Sequence, residues 1–195
     1  MNRRANRWRT CLHESAHCVV ARALDLWDCT TAARVSDDGR GVAELPHGLT
    51  PFADAVATAA GAHGAKLPFD SPARRRRPPL PPLETAEGIR ARAVRKTEAE
   101  IAEKSHNRAM ATGTDAETVA RFCISLHPGA PQEWVAAYAR VHDAARCAVW
   151  AHRDEIRRVA IRLFHRGAAT LKGDPQDAEA FASGAVAAGA TQQAG

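Results

Sequence analysis

Aromatic side chains are scarce, at 5% of 195 residues, while alanine occurs 43 times. That balance argues against a sandwich or barrel, which needs aromatic and β-branched residues, and favours helices. Long apolar runs are lacking too. No stretch approaches the roughly 18 apolar residues of a membrane-crossing helix, so no membrane contact is expected. Arg3, Arg4, Arg7 and Arg9 open the sequence without the apolar stretch of a signal peptide, which argues against secretion. Closely spaced cysteines are missing as well. Cys11, Cys18, Cys29, Cys123 and Cys147 are odd in number with no close pairing, which fits free thiols in a reducing, cytoplasmic setting. Finally, no G-x-x-x-x-G-K-[ST] pattern occurs, so no phosphate-cradling ATP loop is expected.

What is present divides unevenly. The net charge is +5, but two arginine clusters, residues 3–9 and Arg74 to Arg77, carry eight positive charges. Without them the chain is slightly acidic. It does not read as a nucleic-acid binder.

Hydrophobic periodicity predicts a first helix from about Asn6 to Leu26, through Leu12, Ala16, Val19 and Ala23. Thr30 to Val35 and Gly41 to Leu45, joined by Asp37-Asp38-Gly39, predict a hairpin. Thr50 and Pro51 open a second helix, expected to reach about Leu67. Residues 68–83 hold six prolines and four arginines and read as a loop. A charged helix follows from Glu84 to about Ala109, its apolar positions being Ile89, Val94 and Ile101. Thr114-Asp115-Ala116-Glu117 fits a capping box that opens the next helix. One long helix is then expected from Pro131 to Arg166, stopped by Gly167, and a short one from Asp174 to Phe181. The expected fold is mainly α, with a small β-sheet or hairpin, over residues 1–181. Residues 68–112 form an insertion of Pro/Arg-rich loop plus charged helix, and 182–195 a disordered tail.

The chemistry concentrates at His13-Glu14-Ser15-Ala16-His17, an H-E-x-x-H pattern inside the first helix. Two histidines four apart sit on one helical face, about 6 Å apart in rise, so both imidazoles reach one metal. Glu14 lies beside that face, placed to take a proton rather than to ligate. Chance supplies only about 0.02 such patterns in a chain of this composition. A third ligand is needed. The metzincin continuation fails, because Val20 and Ala23 stand where Gly and His belong. A thermolysin-type glutamate about 20 residues on is absent, Asp37 and Asp38 lying in a turn there. Glu44, Asp115, and His47 or His63 remain as candidates.

The stretch Leu12-His13-Glu14-Ser15-Ala16-His17-Cys18-Val19-Val20-Ala21 resembles the HEAGHAVVA helix of the FtsH-type ATP-dependent zinc peptidases. Arg40-Gly41-Val42-Ala43 resembles that family's edge strand, and Ala60-Gly61-Ala62 to Leu67 its AGRAAEEL helix. Gly113-Thr114-Asp115 to Ala120 resembles its GASNDLEQAT segment, whose aspartate is the third zinc ligand. His152 to Ile156, continuing to Gly173-Asp174, resembles its closing helix and turn. Ala16 replaces a family glycine, and Ala65 and Lys66 replace its acidic pair.

The resemblance implies zinc held by His13, His17 and Asp115, with Glu14 as general base. It implies a polypeptide substrate docked along Gly41, Val42, Ala43 and Glu44. The substrate would be unfolded or flexible, since the family's ATPase pattern is missing, and a separate ATPase or a homo-oligomer are the partners left open. Two other readings are a non-catalytic interaction protein, binding through its proline- and arginine-rich insertion, and a zinc hydrolase of non-peptide amides. Cys18 and the remaining histidines, His63 and His142 among them, read as packing or surface residues, and Trp134 and Trp150 as a packing stripe.

Overall fold

The computed structural model describes residues 3–24, 31–45, 48–67, 84–95 and 114–171. Helix α1 (Arg3–Leu24) is followed by strands β1 (Thr31–Val35) and β2 (Gly41–Glu44) and helix α2 (Pro51–Gly64). The described part of α3 covers 86–95. Helices α4 (Asp115–Leu126), α5 (Pro131–Ala151) and α6 (Arg153–Arg166) lead into strand β3 (Ala168–Leu171). The fold is thus mainly helical with a small three-stranded antiparallel sheet, as the composition suggests. No described helix is long and apolar enough to cross a membrane.

The central element is α1. It packs on α2, α6 and the sheet. No proline or glycine interrupts it, and its stripe of Leu12, Ala16, Val19 and Val20 is at most 1% exposed. α2 approaches unusually closely because it is built of small residues. A Cβ built on Gly64 would fall 2.8 Å from the Leu12 carbonyl oxygen and clash with the Ala16 methyl. The room that Ala16 takes on α1 is therefore given back by Gly64 on α2.

Helix starts follow local chemistry. The Thr50 hydroxyl accepts from the Ala53 N–H at 3.3 Å, with Pro51 at the first helical position. At α4 the Glu117 carboxylate accepts from the Thr114 N–H at 2.8 Å, as the capping box requires. Arg95 of α3 donates to the same carboxylate at 3.1 Å, tying α3 to α4.

The sheet order is β2-β1-β3, so β2 lies at an edge. Ala33 faces Ala43 on one side of β1 and Ala169 on the other. Thr31, Ala33 and Val35 point into the core, alternating with Ala32 and Arg34. The hairpin turns at Gly39, whose φ of 85° suits glycine. Thr10 of α1 donates to the Gly39 carbonyl at 3.0 Å, fastening the turn to the helix.

Three expectations need correction. The single helix over Pro131–Arg166 is two, α5 and α6, parted at His152 with φ −100° and ψ 16°. Hydrogen bonds continue through the break, His152 N–H to Ala148 O and Ile156 N–H to His152 O, both at 3.0 Å. The chain bends there without a proline or glycine to announce it. Strand β3 was not expected at all. It forms because Gly167, left-handed at φ 73°, ends α6 and passes its carbonyl to the Val35 N–H at 2.8 Å. In α3 the buried side chains are Ile89 and Ala93, while Val94 is 48% exposed. Ile101, the expected helix of 174–181 and the tail of 182–195 lie outside the described residues.

Candidate metal centre

α1 presents His13 and His17 one turn apart on a single face. α4 delivers Asp115 at its first residue, where the capping box fixes the backbone. The separation along the chain is 98 residues, yet the side chains meet. His13 Nε2 lies 3.0 Å from Asp115 Oδ2, His17 Nε2 lies 3.3 Å from the same oxygen, and the two Nε2 atoms are 3.1 Å apart. The three residues form a group that can hold a metal ion. Donors on a tetrahedral ion at ordinary zinc–nitrogen lengths stand about 3.3 Å apart, so the triangle needs little adjustment.

His17 is held from behind. His17 Nδ1 lies 2.8 Å from the Ala57 carbonyl oxygen of α2. The ring nitrogen there is the donor, which turns Nε2 towards His13 and Asp115 as the nitrogen that would ligate a metal once it carries no proton. Four residues along α2, Gly61 gives the imidazoles their space. A Cβ there would sit 2.5 Å from His17 Cε1 and 2.7 Å from His13 Cε1. His17 is closed in, its side chain 7% exposed, whereas those of His13 and Asp115 are each 31% exposed. The group therefore opens to solvent on the His13–Asp115 side.

Charge is arranged for a cation. Burial by itself would raise the Asp115 carboxyl, but hydrogen bonds from His13 and His17 hold it well below the usual range. Burial would lower His17, and Asp115 more than offsets this, so its pKa is raised. Glu14 is 7% exposed and its carboxyl is raised, first by burial and also by Asp115, against the lowering pull of His13 and His17. It is thus a better proton acceptor than a solvated glutamate.

The edge strand touches this acid directly. A Cβ on Gly41 would lie 2.6 Å from Glu14 Cγ and 2.7 Å from Thr10 Cγ2. Glycine lets the start of β2 rest on the Glu14 side chain, and Val42, next along the strand, is 53% exposed. Gly41, Val42, Ala43 and Glu44 therefore form an edge whose first residue borders the metal centre.

Of the candidate third ligands, Asp115 joins the histidines. Glu44 is an exposed residue at the end of β2 and outside the group. His63 is buried against His142, and His47 lies outside the described residues. Cys18 is a buried thiol whose Sγ donates to the Ala32 carbonyl at 3.4 Å, away from the centre. Trp134 is buried as expected at 8% exposure, while Trp150 carries the Arg153 guanidinium 4.9 Å over its ring. The sequence did not reveal the supporting roles of Ala57, Gly61 and Gly41. Each is a small residue, and only the tertiary approach gives it meaning. No family model, curated protein or solved structure matches this chain.

Proposed function

We propose that the chain is a zinc-dependent metalloendopeptidase acting on unfolded or flexible polypeptides, akin to the proteolytic domain of the FtsH-type proteases. The observation that carries this reading is the convergence of His13, His17 and Asp115 beside the buried Glu14. Two imidazoles and one carboxylate suit zinc better than calcium or magnesium, which take all-oxygen sites. The aspartate that the family resemblance singles out is the acidic residue that meets the histidines, which supports the likeness.

Zinc bound there would supply Lewis acidity, polarising a peptide carbonyl and bringing the pKa of water towards about 7. The chain's own residues do the rest. Ala57 and Gly61 fix the His17 ring. Glu14 accepts a proton from the attacking water on a carboxylate oxygen and returns it to the departing amine nitrogen. The strand β2 offers its outer edge to an extended peptide, which would add to the sheet by main-chain hydrogen bonds. Its start at Gly41 would carry such a peptide past Glu14. Strand addition needs an extended chain, which is why the substrate is a flexible one. No nucleotide-binding loop pattern occurs in these 195 residues, so unfolding of a folded substrate would have to come from outside them.

The test is paired. Metal content and hydrolysis of a casein or peptide library are measured on one preparation of the wild type and of Glu14→Gln. Zinc near one per chain in both, with turnover in the wild type alone, supports the reading. Turnover unaffected by Glu14→Gln, or by stripping the metal, refutes it.

A further inference from the structure

A second histidine pair lies away from the metal centre. His63 on α2 and His142 on α5 are 1% and 7% exposed. His63 Nε2 and His142 Nδ1 are 3.2 Å apart, with ring centroids at 5.4 Å and ring planes 67° apart. The outer nitrogens, His63 Nδ1 and His142 Nε2, are buried with no hydrogen-bond partner. The Tyr138 ring covers His142 at 4.4 Å. In the neutral pair one ring donates its N–H to the other across the contact, and the accepting ring keeps its own N–H on its outer nitrogen.

We infer that the His63–His142 contact is an acid-sensitive latch: uncharged, it holds α2 against α5, and protonated, it releases α2 and with it the Ala57 carbonyl that orients His17. The first proton gives one ring a second N–H, buried with nothing to accept it, and a charge out of water. The second proton sets two N–H groups head to head across the same contact. The surroundings do not help. Lys66 just beyond α2, Arg146 of α5 and Arg92 of α3 all oppose a positive imidazole. The carboxylates that favour one are already engaged, Asp143 with Arg146 and Glu84 with Arg92 at 3.0 Å. From α4, Cys123 faces Tyr138 as a neutral thiol. Burial, ahead of these charges, pushes both histidines down to about 4.

The route to the metal centre is α2 itself. His63 lies two residues beyond Gly61 and six beyond Ala57 on that helix. A shift of α2 away from α5 moves the carbonyl that fixes the His17 tautomer and the glycine that gives it room. The importance of the latch for catalysis rests on the metallopeptidase reading, whereas the latch itself does not.

The sign of the effect is fixed. Above about pH 7.5 the pair is neutral in the folded and unfolded chain alike. Below the ordinary histidine value the unfolded chain takes up protons that the folded pair refuses, so stability falls between about pH 6.5 and 4. From pH 7.5 to 5.0 each ring accounts for up to about a 30-fold drop in the folding constant.

The experiment is urea unfolding of the metal-free full chain at both pH values, for the wild type, His142→Gln and His63→Leu/His142→Leu. Every other ionisable residue is present in all three, so the differences between them report the pair and what it releases. The wild type should lose up to about 30-fold more stability per ring than the double variant, and His142→Gln should fall between. Should a variant fail to fold, ring nitrogen-15 spectra of the wild type decide: both rings neutral at pH 5.5, and the His17 ring N–H signal lost as they titrate. Identical pH slopes in wild type and variants, rings that protonate near 6.5 in the folded protein, or a His17 N–H that outlasts their titration would overturn the latch. A chain that shows the slope but binds no zinc would overturn the proposed function and leave the latch standing.

Discussion

Gly61→Ala is the smallest change that should disable the metal centre. The added methyl would stand 2.5 Å from His17 Cε1, where ordinary contact begins near 3.4 Å, so ring or helix must yield by about 0.9 Å. His13 can swing outward, being partly exposed. His17 cannot, because its far nitrogen is held by Ala57 on the same helix, 2.8 Å away. Metal–ligand distances tolerate only about 0.2 Å of error. Disturbing a supporting group of this kind weakens metal binding about 10- to 100-fold, or roughly 1.4 to 2.7 kcal/mol. The metal-free fold should lose about 0–2 kcal/mol. Overpacking costs about 1–3 kcal/mol, and alanine recovers about 1 kcal/mol over glycine inside a helix. Competition against a chromophoric chelator gives the zinc affinity, and the visible spectrum of the cobalt-loaded protein reports ligand geometry. Unchanged affinity together with a wild-type cobalt spectrum would refute the claim that Gly61 gives His17 its place.

Three further outcomes are expected. Glu14→Gln should retain the metal and lose at least about 100-fold in turnover, because the amide cannot accept the proton; equal turnover would remove Glu14 from the mechanism. Asp115→Ala should strip the metal under dialysis while Glu44→Ala does not, as metal analysis of the two would show; the reverse would move the third ligand to β2. Cys11 and Cys123, fully buried and pushed up by burial to about 11 and about 12, should resist alkylation at pH 8 until the chain is unfolded, as mass spectrometry of the digested protein would record.

Local signals were legible. The H-E-x-x-H helix, the hairpin turn at Gly39, the Thr50-Pro51 start and the Thr114–Glu117 capping box all depend on residues within a few positions of one another. What escaped depends on distant parts of the chain. β3 has four residues, Ala168–Leu171, and owes its existence to β1, more than 130 residues earlier. The bend at His152 leaves Val149 and Ile156 seven apart and both buried, so the apolar period runs through it undisturbed. His63 and His142, 79 residues apart, each pass for an ordinary packing residue until seen together. Asp115 stands between these cases. Its helix start is local, its nearness to His13 and His17 is not, and spacing alone left Glu44, His47 and His63 as rivals.

The candidate metal centre joins α1 to α4, and so joins two points 98 residues apart in the chain. An occupied centre turns that stretch into a closed ring. In chain-entropy terms a tie of this span restricts the unfolded chain about as a disulfide would, by roughly 4–5 kcal/mol. Unlike a disulfide, it can be undone by a chelator. The proline- and arginine-rich residues 68–83 lie within the ring. A protease that nicked them would leave two fragments clasped by the ion as well as by the packing of α1 and α2 on α4 and α5. Whether the halves stay together would then depend in part on whether the site is occupied.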